Sequence, residues 1–251
     1  MDINPLPARH PGPLTLAIDV GGTRLKVGLL DAGGEMVAGP NRVDTPARPE
    51  PLAVVDALVG LAGPLGRFDR ISVGFPGVVR HGEVLTAPNL GTPDWRHFPL
   101  AAKLTEKLGK PTRMLNDAEV QGLGVITAKG LECVITLGTG MGFSLFQDGY
   151  PAPHLELSQH PLRKGKTYDQ FIGNAAYLTV GRKRWNRRVR RALDCITILV
   201  GYDVLYIGGG NAKQVNLDLA ANIRLVSNQA GITGGVRLWD KTLDDVFASE
   251  G

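Results

Sequence analysis

The sequence carries one unit twice. Residues 17–31 read AIDVGGTRLKVGLLD, and residues 134–149 read VITLGTGMGFSLFQDG. Ile18-Asp19-Val20-Gly21-Gly22-Thr23 aligns with Ile135-Thr136-Leu137-Gly138-Thr139-Gly140. In both copies an apolar strand enters a turn made of Gly and Thr, and an apolar strand returns. Leu25, Val27 and Leu29 alternate as a half-buried strand does. Both copies close on an acidic-glycine turn, LLDAGG and LFQDGY. This repeat constrains the fold more than composition can, because two similar hairpins imply two similar units facing each other.

The rest of the chain alternates strand and helix. PEPLAVVDALVGLAGPLG reads as a helix that opens at Pro49 or Pro51 and stops near Gly63. RISVGFPG is a short strand, and VVRHGEVL is a small hairpin turning at His81-Gly82. Residues 98–108 form an amphipathic helix. PTRMLNDAEV is a strand that becomes a helix at Asn116-Asp117, with Asp117 a candidate N-cap. After the second copy comes a long helix over 182–200, then DVLYIGGGNAK, a buried strand opening into glycines. Such alternation predicts α/β layers. A chain of 251 residues can hold two modest domains. The expected division is 1–115, completed by a last helix within 236–251, and 116–235.

The turns suggest a ligand. A tight turn needs glycine, but it does not need Asp19. Backbone N–H groups at a Gly/Thr turn make a concave donor site for phosphate oxygens. Two such turns across a cleft can hold a polyphosphate chain from both sides. Asp19 can then hold Mg2+ near the phosphates through water. The bland alternative is a pair of purely structural hairpins. The 33 glycines exceed the usual share of about 7% and cluster at strand ends, which favours the ligand reading.

The ordered motifs DVGGTRLKVGLLD, GFPGVV, APNLG, LND, ITLGTGMG and IGGGNA resemble the ROK family of bacterial sugar kinases. The resemblance spans about residues 14–238 and is nearest to the polyphosphate glucokinase-like branch. It implies an actin-like, ribonuclease H-like fold with two α/β domains around a cleft. It implies a glucokinase-type activity: phosphoryl transfer from ATP, with polyphosphate as rival donor, to the 6-hydroxyl of a hexose such as glucose. Asp19, Gly21, Gly22, Thr23 and Lys26 are the implied first phosphate and metal site. Gly138, Thr139 and Gly140 are the second, and Gly208, Gly209 and Gly210 would pass close to the adenosine. Asn89, Asn116, Asp117 and Glu156 would bond sugar hydroxyls, with Asp117 also the general base. The chemistry agrees on that last role, since phosphoryl transfer needs positioning, charge neutralisation and an acceptor for the alcohol proton. A homodimer is implied as well.

The chain departs from the family twice. ELSQH stands where the family has E-x-G-H, so Gln159 takes the histidine position and His160 follows it. This departure is the one feature favouring a non-catalytic sugar- or nucleotide-binding protein. The family's cysteine-rich zinc loop is replaced by HPLRKGKTYDQFIG, a basic loop running into a helix, so no zinc is expected. Cys133 and Cys195 read as reduced core residues.

The densest charge is GRKRWNRRVRRALDC. On a helix Arg184, Arg187, Arg188 and Arg191 share one face, while Trp185, Val189 and Leu193 cover another. The arginine face is solvated, a track for an anionic polymer such as polyphosphate, or a nucleic-acid contact. A net charge of +4 suits a small anionic ligand and is too weak to argue for nucleic acid. No apolar run is long enough for a membrane span. The N-terminal MDINPLPARHPGP lacks a secretory signal and reads as a frayed tail, so the expected location is cytoplasmic.

Overall fold

The structure, a computed structural model, describes residues 12–226 and 233–248. Nearly all of the expected N-terminal tail lies outside the described residues. The first sheet begins with the predicted hairpin, β1 (Thr15–Val20) and β2 (Arg24–Leu30), in which Asp19 pairs with Lys26. β3 (Met36–Asp44) adds an outer antiparallel strand that the sequence did not suggest. It is mostly exposed and bulged around Gly39-Pro40, so it lacks apolar alternation. Helix α1 (Pro51–Ala62) starts on its proline and buries Val54, Val55, Leu58 and Ala62. The chain continues through β4 (Arg70–Phe75), the small hairpin β5 (Val79–Arg80) and β6 (Glu83–Val84), and α2 (Thr92–Trp95). Helix α3 (Leu100–Leu108) then buries Leu100 and Leu104, and β7 (Thr112–Asn116) completes the sheet.

The second half repeats this topology. α4 (Asp117–Leu123) leads into β8 (Leu131–Leu137) and β9 (Met141–Gln147), the second hairpin, followed by the short β10 (Tyr150–Pro151). A ribbon of β11 (Pro161–Arg163) and β12 (Lys166–Thr167) precedes α5 (Tyr168–Ile172) and α6 (Asn174–Val200). β13 (Val204–Gly208) and β14 (Ile223–Leu225) close the sheet. The two strand orders are β3-β2-β1-β4-β7 and β10-β9-β8-β13-β14. In each, the hairpin is antiparallel and its first strand pairs in parallel with the next. The repeat read from sequence is therefore a repeat of topology.

Each sheet has its own core, one around Leu58, Val73 and Trp95 and the other around Ile135, Trp185 and Leu205. A third core joins them, made by Val120 and Leu123 of α4 with Val134, Phe146, Tyr206, Leu238 and Leu243. The expected last helix is instead two 3-10 segments, Gly234–Trp239 and Lys241–Leu243, and the single turn α7 (Asp244–Phe247). Its glycine-rich start packs where only bare backbone fits: a Cβ on Gly234 would collide with the Val120 carbonyl. The segment is bound beneath the first sheet. Ser72 Oγ donates to the Gly235 carbonyl at 2.6 Å, and Arg113 Nη1 donates to the Leu238 carbonyl at 2.8 Å.

α6 covers the predicted 182–200 and extends upstream across a break at Gly181, whose φ is 73°. Trp185, Val189 and Leu193 are buried as their spacing predicts. Arg184, Arg187 and Arg191 are exposed, but Arg188 leaves their face. Its Nη1 donates to the Phe171 carbonyl at 3.2 Å, and its guanidinium lies 4.9 Å from the Phe171 ring centre. Cys133 is buried and Cys195 half-buried, and both are free thiols. No described helix is long and apolar enough to cross a membrane.

Candidate active site

A cleft of about 760 Å3 opens between the two hairpin turns. Its floor is the corner where β7 becomes α4. Asn116, not Asp117, caps that helix: its Oδ1 accepts from Ala118 N–H at 2.9 Å, and Glu119 Oε2 reaches back to Asn116 N–H at 3.0 Å. The Asn116 amide also donates to the carbonyls of Phe75 and Gly77, at 3.3 and 3.0 Å. Asn116 thus spends most of its polar capacity on holding the corner, with one oxygen lone pair left over. The adjacent Asp117 carboxylate lines the cleft, its Oδ1 sharing Ala118 N–H with the cap at 2.8 Å.

Burial, and then the negative charge of Asp19, raises the Asp117 pKa to about 7. Glu156 adds to the rise, while Ala118 N–H and His154 oppose it. Such a carboxylate holds or releases a proton near neutral pH, as a general base requires. Asp19 stands near the end of β1 and is paired with Lys26 Nζ at 2.8 Å.

Gly21, Gly22, Thr23, Lys26 and Asn89 line the cleft from the first sheet, and Gly138, Thr139 and Gly140 from the second. Each turn closes on itself: Gly21 N–H donates to the Arg24 carbonyl and Gly138 N–H to the Gly140 carbonyl, both at 3.0 Å. The predicted glycine run at the end of β13 divides. Gly209 and Gly210 line the cleft, but Gly208 does not, and a Cβ there would sit 3.3 Å from the Val226 side chain. At Gly209, with φ +86°, a Cβ would lie 2.5 Å from the backbone of Leu137. A side chain at 209 would thus collide with β8, and one at 208 would press on Val226.

A side chain at Gly22 would also meet a neighbour. A Cβ on Gly22 would point at Asn89, 3.0 Å from its Cβ and 3.3 Å from its carbonyl oxygen. The first glycine turn and the Asn89 loop are in contact. Gly22→Val is therefore expected to raise KM for both the phosphoryl donor and the sugar by tenfold or more. Steady-state kinetics with each substrate varied in turn check this, and a donor effect alone would overturn it.

The opposite wall carries Glu156, Ser158, Gln159 and Asp169. Ser158 Oγ donates to Glu156 Oε1 at 2.5 Å, and Gln159 Nε2 donates to Asp169 Oδ2 at 3.1 Å. Asp169 Oδ1 accepts from Met141 N–H at 2.6 Å, fastening this wall to the second turn. Burial raises the Asp169 pKa. His160 is exposed and does not line the cleft.

A histidine is nevertheless present. His154 Nδ1 lies 3.0 Å from Glu119 Oε1, and its Nε2 lies 3.4 Å from Glu156 Oε2. Burial pulls the imidazole pKa down, but the two carboxylates outweigh it and raise the pKa to about 9. The His154 contact also lowers the Glu156 pKa against burial, with help from Ser158. His154, Glu119 and Asp169 are site residues that the sequence reading missed. Glu119 had a signal, the Asn116-x-x-Glu119 spacing of a capping box.

Mirrored sheets, a Gly/Thr turn from each and one carboxylate at the floor of the cleft define an actin-like ATPase fold. The chain belongs to the ROK family, whose model matches residues 15–153. It is 29% identical to the polyphosphate glucokinase of Mycobacterium tuberculosis, over 92% of this chain and 94% of that protein. The inorganic polyphosphate/ATP-glucomannokinase of Arthrobacter sp. strain KM superposes with a TM-score of 0.81 at 28% identity, covering 90% and 98% of the two chains. A ROK family glucokinase from Streptomyces griseus, solved with glucose and AMPPNP, gives a TM-score of 0.71 at 20% identity, covering 90% and 98%.

Proposed function

We propose that this protein transfers a phosphoryl group to the 6-hydroxyl of a hexose, glucose first, with ATP or polyphosphate as donor. The observation that carries this reading is Asp117. It stands at the cleft floor with a pKa near neutrality, below two phosphate-sized turns and beside the polar wall of Glu156, Ser158 and Gln159. Asp117 accepts the hydroxyl proton as the oxygen attacks the terminal phosphorus in line. Glu156, Asn89 and Gln159 orient the sugar hydroxyls, and Asn116 keeps the corner rigid. The turns at 21–23 and 138–140 grip the donor phosphates, and Lys26 adds positive charge. Gly209 and Gly210 line the remaining edge, on the nucleotide side.

Mg2+ fits this donor set. Asp19 and Asp117 are hard oxygen ligands close enough for one charge to raise the pKa of the other. Among the described residues no group of three or more His, Cys, Asp or Glu is placed to hold a metal ion. A cation bound through one or two carboxylates, water and substrate phosphates needs no such group. Asp19 would hold it, and the ion would neutralise the charge that develops on the transferred phosphoryl.

The same reading divides the chain into a first domain of 1–115 with the returning C-terminal segment, and a second of 116–235. The two separate cores support that division. Exposed Leu178, Ile198 and Leu199 on α6 support a homodimer, which sedimentation tests.

A coupled kinase assay over a panel of hexoses, with ATP and polyphosphate each as donor, tests the proposal. No turnover with any pair, alongside measurable sugar binding, would make the protein a binding module, the reading that Gln159 favours. The donor question has its own variant. Arg184, Arg187 and Arg191 are exposed and outside the cleft. If they guide polyphosphate, changing all three to Gln lowers kcat/KM for polyphosphate at least tenfold, about 1.4 kcal/mol, and leaves ATP kinetics alone. Unchanged polyphosphate kinetics would assign this face to solvent.

A further inference from the structure

We propose that His154 is a positioning residue: held as an imidazolium between Glu119 and Glu156, it aims Glu156 at the sugar and ties it to the Asn116-Asp117 corner. This deepens the sugar kinase reading and rests on it. The geometry is that of a clamp. Both ring nitrogens face carboxylate oxygens, at 3.0 and 3.4 Å. A neutral imidazole has one N–H and one lone pair, so it would set that lone pair against one of the two carboxylates. Only the doubly protonated ring satisfies both.

The carboxylates are fixed from their far sides. Glu119 Oε2 accepts from Asn116 N–H at 3.0 Å, and Glu156 Oε1 accepts from Ser158 Oγ at 2.5 Å. The result is one chain of contacts from the residue before the base to the sugar wall. Its inner members are shielded from water: the side chains of His154 and Glu119 are 9% and 7% exposed, against 33% for Glu156. Glu119 and Asp117 act on the ring from α4, and Glu156 from its own segment. Asp169 of α5 acts on Glu156 in turn. Against these acidic groups the imidazolium is a buried cation, and it favours the ionised form of Asp117.

Two measurements test this, one independent of turnover. In the free protein, 15N NMR of the His154 ring, assigned by its loss in His154→Gln, should show both nitrogens protonated at pH 7.5 and titration near 9. Glu119→Gln should lower that value by more than one pH unit. A ring that titrates near 6.5 overturns the clamp. In kinetics, His154→Gln should raise KM for the hexose at least tenfold, with KM for the donor within twofold. It should also remove an alkaline limb near pH 9 from kcat/KM for the hexose. His154→Lys, which restores the charge, should recover part of the hexose KM. Wild-type hexose KM in His154→Gln, with the limb intact, overturns the proposal. If the wild type turns over no sugar, the kinase reading fails; a neutral ring then still overturns the clamp and a charged ring upholds it.

Discussion

Asp117→Asn is expected to lower kcat by about 10²–10⁴-fold and, in the same molecule, to make the fold more stable above neutral pH. The loss of rate follows from the loss of the proton acceptor, since the amide keeps the shape of the side chain. The gain follows from linkage. Asp117 titrates at 3.8 when unperturbed and at about 7 in the folded chain, because burial and the Asp19 charge disfavour its ionised form. Below about pH 3 it is protonated folded and unfolded, and it costs nothing. As pH rises towards 7 the unfolded chain ionises while the folded chain retains its proton, so stability falls. Above 7 the full penalty is present, on the order of 2–4 kcal/mol. The variant should therefore melt several degrees higher than wild type at pH 8 without ligands, with the difference vanishing towards pH 3. Wild-type kcat/KM should rise with pH through about 7. A variant that retains a third of wild-type kcat, or that melts lower at pH 8, would remove Asp117 from the role of base.

Gly140→Ala is expected to cost at least tenfold in kcat/KM for the sugar, although Gly140 belongs to the turn proposed to hold the donor phosphates. A Cβ there would lie 2.5–2.7 Å from the Asp169 carboxyl group. Asp169 would have to move, releasing Met141 N–H from one oxygen and Gln159 from the other. One methyl group would thus loosen the turn and the sugar wall together. A double-mutant cycle separates this from general damage. If Gly140→Ala acts by displacing Asp169, adding it to Asp169→Ala should cost little more. Additive losses would refute the coupling.

The features legible in the sequence are those that local chemistry fixes. The two hairpins were readable because their strands alternate and their turns contain nothing bulkier than threonine. Trp185, Val189 and Leu193 were readable as a buried stripe, because helical spacing places them together. Arg188 was not, because its partner Phe171 lies on another helix. β3 escaped because its residues are mostly exposed, so no period marks it. Asp117 was legible both as a general base and as a possible cap; the neighbouring Asn116 takes the capping task, its amide also reaching the carbonyls of Phe75 and Gly77. Asp169 and His154 gave no signal, because they meet the site only after α5 and the segment following β10 fold back on it. The histidine of this wall stands two residues before Glu156, at 154, and not three after it, at 159.

The place of α4 has a mechanical consequence. This short helix packs against β4 and β7 of one sheet, β8 and β9 of the other, and the returning C-terminal segment. It lies where an axle would lie between two jaws. For a rotation of one sheet on the other about this line, points near it barely move and points far from it sweep an arc. Asp117, at the first turn of α4, is at the still end. The two glycine turns line the cleft from either sheet. Jaws hinged in this way can open to admit a ligand and shut on it while the Asp117 carboxylate stays in register with the floor.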